Sequence, residues 1–320
     1  MRVAIVGVGG MGFTHFNIHK NMEGTTLVAA CDLMLDRLQS KADCTGINLY
    51  DDFYKMLEVE KPDIVDVSTP TYLHKEHAIA AMRAGAHVIC EKPMALTRED
   101  ADEIIEVIKE TGKVFMAAHV LRFMGPYAYL QEVIKSGKYG KPLKIRMSRM
   151  SGTPLWSFEN WMLDKEKSGH VVLDLMIHDI DFTQYMFGMP KDIVGTVYEM
   201  NNTTNYASIN YIYDGFSVAF EGGWFKTDIP FESDFFAIFE GGYVKLCNGV
   251  LVDNGEVVDL DKSEVVEDTG INISSVDGYS QEIRHFIDCI NTGKAPSVTP
   301  ESSATSVELV KRTLNALTKI

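Results

Sequence analysis

The stretch Gly7-Val8-Gly9-Gly10-Met11-Gly12 constrains this chain more than any other. Before it lies residues 2–6, Arg-Val-Ala-Ile-Val, a short run of the kind buried in parallel sheets; after it, residues 11–21 read as a helix. Strand, glycine turn and helix in that order give G-x-G-x-x-G its meaning as a dinucleotide site. Gly7 permits the tight turn, Gly9 lets a pyrophosphate reach the backbone, and Gly12 lets helix and strand pack closely. The amides of the turn, Gly10 and Met11 included, then meet the phosphates together with the helix dipole.

A second strand over residues 26–31 ends in Asp32, twenty residues after Gly12. A carboxylate there accepts the adenosine ribose hydroxyls and repels a 2′-phosphate. At about 5 Å and an effective dielectric near 20, each unit of charge costs roughly 3 kcal/mol. Arg37, a few residues on, is placed to soften that repulsion in principle. The expected cofactor is NAD, with NADP second.

The alternation continues through a helix at 51–59, a strand at 63–68, a helix at 73–84 closed by Gly85, and a strand at 87–90. Thr97 caps a helix at 98–110, and a strand at 114–118 ends the series. Repeated strand and helix imply an α/β Rossmann domain with a doubly wound parallel sheet. Ligands of such sheets bind off the carboxyl ends of the strands. Two loops there carry the expected cofactor contacts: Ser68, Thr69, Pro70 and His74 in one, Glu91 and Lys92 in the other. Glu-Lys-Pro alone is an ordinary surface turn. At this strand end, however, Lys92 points toward the nicotinamide position. Pro93 restricts Lys92 to extended geometry and leaves the isomer of their bond open.

After Arg122 the rhythm changes, so the domains are read as 1–122 for the cofactor and 123–320 for substrate and oligomerisation; a chain of 320 residues exceeds one small core. A helix at 127–136 and a strand at 144–150 lead to a loop, 151–168, holding Trp156 and Trp161. Strands follow at 193–199, 206–213, 217–225, 235–239 and 243–247, with turns at Asp214-Gly215, Gly241-Gly242, Asn248-Gly249 and Asn254-Gly255. This predicts an α+β domain with a large, mostly antiparallel open sheet. Ile209, Tyr211 and Tyr213 on alternating positions favour a homodimer or homotetramer through it. Helices at 279–291 and 300–317 finish the chain.

Residues 169–185 read as one helix, apolar nearly all round and therefore buried. At about 100° per residue, Asp174, His178, Asp181 and Tyr185 share one stripe. An Asp and a His four apart are usually a surface contact. Here the apolar remainder of the helix points to an active-site floor, with His178 as proton acceptor and Asp174 orienting it. His170, Asp174 and His178 also have metal-like spacing, but no C-x-x-C or H-E-x-x-H accompanies them, so no metal is expected. Trp161, like Trp156 and Trp224, stacks on a sugar or simply packs.

The net charge of −15 excludes nucleic acid as a partner and gives no affinity for anionic membranes. Five scattered cysteines fit a reducing cytoplasm. No signal peptide is seen, and no apolar run nears the about 20 residues of a membrane span. The expectation is a cytoplasmic protein.

The glycine fingerprint, Thr-Pro-Thr-Tyr-Leu-His at 69–74, Ala-Gly-Ala-His-Val-Ile-Cys-Glu-Lys-Pro at 84–93, Asp-x-x-x-His-x-x-Asp at 174–181 and Gly-Lys-Ala-Pro at 293–296 together resemble the Gfo/Idh/MocA family. Its members are glucose–fructose oxidoreductase, inositol dehydrogenase and rhizopine-catabolism-type oxidoreductases. The resemblance implies hydride transfer between NAD and a secondary hydroxyl of a sugar, inositol or related polyol. It implies that Lys92 hydrogen-bonds the reacting hydroxyl and stabilises the alkoxide, while His178 and Asp174 handle the proton. Asp181 is expected on neighbouring hydroxyls, Trp161 on the substrate, and Arg122, in the segment entering the second domain, on the cofactor. His170 stands where the family commonly has a small glycine, and it narrows the substrate pocket or adds a ligand to it. Two alternatives accompany this reading: an NAD-retaining glycoside hydrolase of the same fold, and a non-catalytic sensor of dinucleotide or sugar.

Overall fold

The computed structural model describes residues 1–200, 203–227, 229–260 and 277–320. Two compact units divide the chain, Met1–Ala118 with Val265–Ala304, and His119–Glu264 with Thr305–Ile320.

In the first unit the strands are β1 (Arg2–Val6), β2 (Thr26–Cys31), β3 (Asn48–Tyr50), β4 (Ile64–Val67), β5 (His87–Glu91) and β6 (Phe115–Ala118). Between them run helices α1 (Gly10–Asn21), α2 (Leu35–Lys41), α3 (Phe53–Glu60), α4 (His74–Arg83) and α5 (Arg98–Thr111). The strands are all parallel, in the order β3-β2-β1-β4-β5-β6. That is the doubly wound order of a dinucleotide-binding sheet, as expected. Val3, Ile5, Ile64, Val65, Val88, Ile89 and Met116 are fully buried, which requires cover on both faces. Thr97 caps α5 by accepting the Asp100 N–H at 3.1 Å. The short elements α2 and β3 have no expected counterpart; with so few residues, neither develops a readable period.

The first unit also includes α10 (Asp277–Thr292), which packs against α1 and β5. Its buried stripe of Tyr279, Ile283, Phe286 and Ile287 has helical spacing, and that face is what it contributes to this core.

The second unit holds α6 (Gly125–Ser136), β7 (Pro142–Gly152), α7 (Lys165–Ser168), α8 (His170–Asp174) and α9 (Ile177–Phe187). Then come β8 (Asp192–Met200), β9 (Thr203–Ile212), β10 (Ser217–Phe225), β11 (Glu232–Phe239), β12 (Gly242–Cys247), β13 (Val250–Asp253) and β14 (Glu256–Val257), and finally α11 (Pro300–Ala316), counted here from Thr305 onward, and β15 (Thr318–Lys319). The nine strands form one sheet, β14-β13-β12-β11-β7-β10-β9-β8-β15. Among the described residues of this sheet, only β7 with β10 and β8 with β15 pair in parallel; the other pairs are antiparallel. Both Asn-Gly turns have the two positive φ angles that a tight hairpin needs, 50° and 75° at Asn248-Gly249, 49° and 97° at Asn254-Gly255.

Two expectations need correction. Ile209, Tyr211 and Tyr213 do not present an open face: they are buried, and the Tyr211 hydroxyl lies 2.6 Å from Thr313 Oγ1 of α11. Alternation marks one apolar face, and the chain's own helices cover it. The helix read over 169–185 is also interrupted. Leu175 and Met176 both donate to the Val171 carbonyl, at 3.0 and 2.8 Å, which widens the turn by one residue. The break seats Met176 on β10, where a Cβ on Gly222 would lie 2.3 Å from Met176 Cγ.

Candidate active site

Within the first unit the glycine turn is built as its spacing demands. Gly7 has φ +84°, and a Cβ on it would lie 2.7 Å from the Ser68 carbonyl. A Cβ on Gly12 would lie 1.8 Å from the Gly7 oxygen, so β1, the turn and α1 approach too closely for any other residue. A Cβ on Gly9 would meet nothing within 4 Å. The first turn of α1, with Gly10 and Met11, receives no side-chain cap. Open space above Gly9 and uncapped amides beside it fit the pyrophosphate of a dinucleotide.

Asp32, at the end of β2, accepts the Val8 N–H at 2.7 Å and the Met34 N–H at 2.7 Å. The carboxylate therefore fixes the turn. Burial, then the charges of Asp32, Asp52 and Asp51, push the neighbouring Cys31 thiol up to about 12. That concentration of negative charge disfavours an added 2′-phosphate. Arg37 is exposed.

The two loops after β4 and β5 are tied together by His74, which is buried. Its Nδ1 lies 2.7 Å from the Pro93 carbonyl and its Nε2 2.8 Å from that of Thr69. Burial lowers its pKa, while the two carbonyls draw it back up. His74, expected on the cofactor, thus serves as a strut between the loops. The Lys92–Pro93 bond is cis. Lys92 is half-buried, and its N–H donates to Glu91 Oε2 at 3.1 Å. Pro70 and Thr69 begin the first loop, and the Thr69 hydroxyl lies 3.2 Å from His77 Nδ1.

A charged cluster beneath these strand ends was missed by sequence reasoning. Asp66, inside β4, is fully buried and takes His15 Nδ1 at 2.8 Å and His19 Nε2 at 2.9 Å. The signal was available: an aspartate within Ile-Val-Asp-Val breaks an otherwise apolar strand, and His15 and His19 are one helical turn apart.

In the second unit, Asp174 ends α8 and is buried, while His178 lies in the first turn of α9 and is half-buried. The widened turn puts them on separate helices, so the four-residue stripe does not persist as projected. Asp181 is fully buried and engaged within its own unit. Arg122 Nε and Nη2 donate to its two oxygens at 2.8 and 2.7 Å, and the Ser306 hydroxyl donates at 2.7 Å. His119 Nδ1 stands 3.5 Å away. Burial alone would raise the Asp181 pKa; His119, Arg122 and Ser306 together hold it low. The Arg122 guanidinium also lies 4.4 Å from the centre of the Tyr185 ring. Asp181, Arg122 and Tyr185 are thus held against one another; the sequence reading has Asp181 meet neighbouring hydroxyls and Arg122 the cofactor.

His170 is buried in the left-handed region at φ +64°, after Gly169 at φ +67°. Burial, then the charge of Lys165, lower its pKa to about 4. Its N–H donates to Ser168 Oγ at 3.0 Å. Trp161 is half-buried in a 3-10 turn (Phe158–Leu163), Trp156 is exposed, and Trp224 is core. Sequence reasoning also missed Asp179, which receives two hydrogen bonds from Arg149, at 2.9 and 2.8 Å.

Among the described residues no helix is long and apolar enough to cross a membrane.

Residues 1–119 match the family profile described as "Oxidoreductase family, NAD-binding Rossmann fold", and residues 127–232 match the GFO/IDH/MocA C-terminal domain. The chain is 35% identical over 195 residues to 2,7-anhydro-N-acetylneuraminate hydratase of Mediterraneibacter gnavus, covering 60% of this chain and 51% of that protein. It is 27% identical over 322 residues to scyllo-inositol 2-dehydrogenase (NAD(+)) of Bacillus subtilis, covering 97% and 92%. The chain spans about half the length of the first curated relatives it matches. Among solved structures, myo-inositol 2-dehydrogenase from Lactobacillus plantarum superposes with TM-score 0.82 at 25% identity, covering 99% of this chain and 96% of that one.

Proposed function

The chain belongs to the Gfo/Idh/MocA family of oxidoreductases, and from that premise we propose that it transfers hydride between NAD and a secondary hydroxyl of a sugar, inositol or related polyol. The observation that carries this reading is Lys92. Its backbone is held by the Glu91 carboxylate on one side and by the His74-anchored Pro93 on the other. It also stands at the end of a strand two places from the one that bears the glycine turn. An ammonium fixed there suits a hydroxyl gathering negative charge.

An alcohol surrenders hydride only as its proton leaves, so a base must reach the hydroxyl. His178 takes that proton, and Asp174 orients the ring and stabilises the imidazolium. Lys92 hydrogen-bonds the oxygen throughout and stabilises the alkoxide. Bound NAD supplies the acceptor for the hydride, at its nicotinamide ring. Trp161 and His170 line the substrate side in this reading. Two or four copies associate through the second sheet, on the face where Val194 and Tyr198 are exposed.

A second reading keeps the cofactor bound and makes the oxidation transient, as in an NAD-retaining glycoside hydrolase. One relative is named a hydratase, a name that describes addition of water with no net oxidation, and this is the ground for keeping the reading. One experiment separates the two: purified protein is incubated with NAD and a panel of inositols, aldoses, sugar acids and glycosides. Net formation of reduced cofactor supports the dehydrogenase. Substrate consumption without it supports the second reading.

A further inference from the structure

The cluster around Asp66 takes no part in the proposed chemistry, yet it reaches the backbone of Lys92. His15 lies between two buried carboxylates, its Nδ1 hydrogen-bonded to Asp66 Oδ2 at 2.8 Å and its Nε2 at an ion-pair distance of 3.3 Å from Glu91 Oε1, without the alignment of a hydrogen bond. A neutral imidazole has one N–H and, with it on Asp66, offers Glu91 only a lone pair; an imidazolium carries a charge that attracts both carboxylates. His19 Nε2 is already on Asp66 Oδ2, and the Ser68 hydroxyl donates to Asp66 Oδ1 at 2.7 Å. The groups facing His15 are thus His19 on its own helix, Asp66 on β4, Glu91 on β5 and the Tyr279 ring of α10, 6.2 Å away.

We propose that His15, held as imidazolium between Asp66 and Glu91, is a positioning residue that aims the Glu91 carboxylate and thereby fixes Lys92. The second oxygen of Glu91 accepts the Lys92 N–H, so the chain of contacts runs Asp66, His15, Glu91, Lys92. Burial alone would lower His15; the charges of Asp66 and Glu91, with the Asp66 hydrogen bond, reverse that and raise it well above the usual histidine range. Glu91, which burial alone would raise, is drawn below the usual carboxylate range by His15 first, then by Lys92 and His74. The proposal rests on the dehydrogenase reading for its consequence, because a displaced Lys92 matters only if Lys92 meets the substrate oxygen.

The test uses the full chain labelled with 15N-lysine, the Lys92 amide being identified by its loss in Lys92→Arg. In His15→Gln the Lys92 amide resonance should move and its exchange with solvent should quicken. Turnover should fall by about tenfold or more at unchanged affinity for NAD. Asp66→Asn removes the charge that holds His15 while leaving the Glu91–Lys92 contact untouched; it should move the same resonance, and it decides the matter if His15→Gln does not fold. A Lys92 amide unchanged in a folded variant overturns the proposal, whatever happens to melting temperature. Because the resonance is read without substrate, a shift in a protein that oxidises nothing in the panel sinks the dehydrogenase reading alone. An unmoved resonance in an active enzyme sinks the positioning role alone.

Discussion

The backbone N–H of Val8 donates to Asp32 Oδ2 at 2.7 Å, so the carboxylate proposed to meet the ribose hydroxyls also braces the glycine turn. Replacing it therefore has two effects. Asp32→Ala should relax discrimination against NADP by at least about tenfold and also weaken NAD, because the turn loses its acceptor. Asp32→Asn keeps an acceptor and should relax discrimination with a smaller loss of NAD affinity. Calorimetric titration with both cofactors checks this. NADP binding as tightly as NAD to the unaltered protein would contradict the assignment.

Lys92→Ala and His178→Ala should each lower turnover by about 100-fold or more, with NAD affinity little changed. Steady-state kinetics alongside cofactor titration measures both quantities. A near-normal rate in either variant removes that residue from the mechanism.

Asp181 and Arg122 should behave as structure. Breaking a buried pair leaves an uncompensated charge, so Asp181→Asn should cost about 3–5 kcal/mol in urea unfolding. A variant of normal stability that cannot bind substrate would return Asp181 to the hydroxyl-binding role read from its position in the sequence.

His170 gives the fold a pH dependence of definite sign. Its folded pKa, near 4 through burial, lies below the unfolded value of about 6.5, so the unfolded chain binds the proton first. This contribution is harmless at neutral pH and erodes stability as pH falls from about 6.5 to 4. His170→Gly, which also relieves the left-handed backbone at φ +64°, should lose less stability than the parent over that window. The His15–Asp66 pair runs the other way: His15, raised, stabilises fully below its unfolded value near 6.5 and loses that as pH rises through its folded value. Urea midpoints across pH for parent and variant separate the two; parallel curves would contradict the His170 assignment.

The first unit was legible because each of its signals is local. The glycine spacing, the Thr97 cap and the apolar strands are set by neighbours in sequence, and the structure repeats them. The second unit was legible in its strands, which period and Asn-Gly turns announce, and less so in its helices. The widened turn at Leu175-Met176 depends on a space over Gly222, forty-six residues beyond Met176, and no local pattern contains it. In the same way, alternation showed that Ile209, Tyr211 and Tyr213 share an apolar face but not that α11 covers it. The partners of Asp181 lie at Arg122 and Ser306, far off in sequence, and no projected stripe contains them.

The central claim is direct hydride transfer, and isotope tracing tests it most directly. A substrate from the panel, deuterated at the carbon bearing the reacting hydroxyl, is incubated with NAD, and the reduced cofactor is analysed by mass spectrometry. The account predicts one deuterium carried into the nicotinamide ring. Substrate consumed with no deuterium in released cofactor would contradict it.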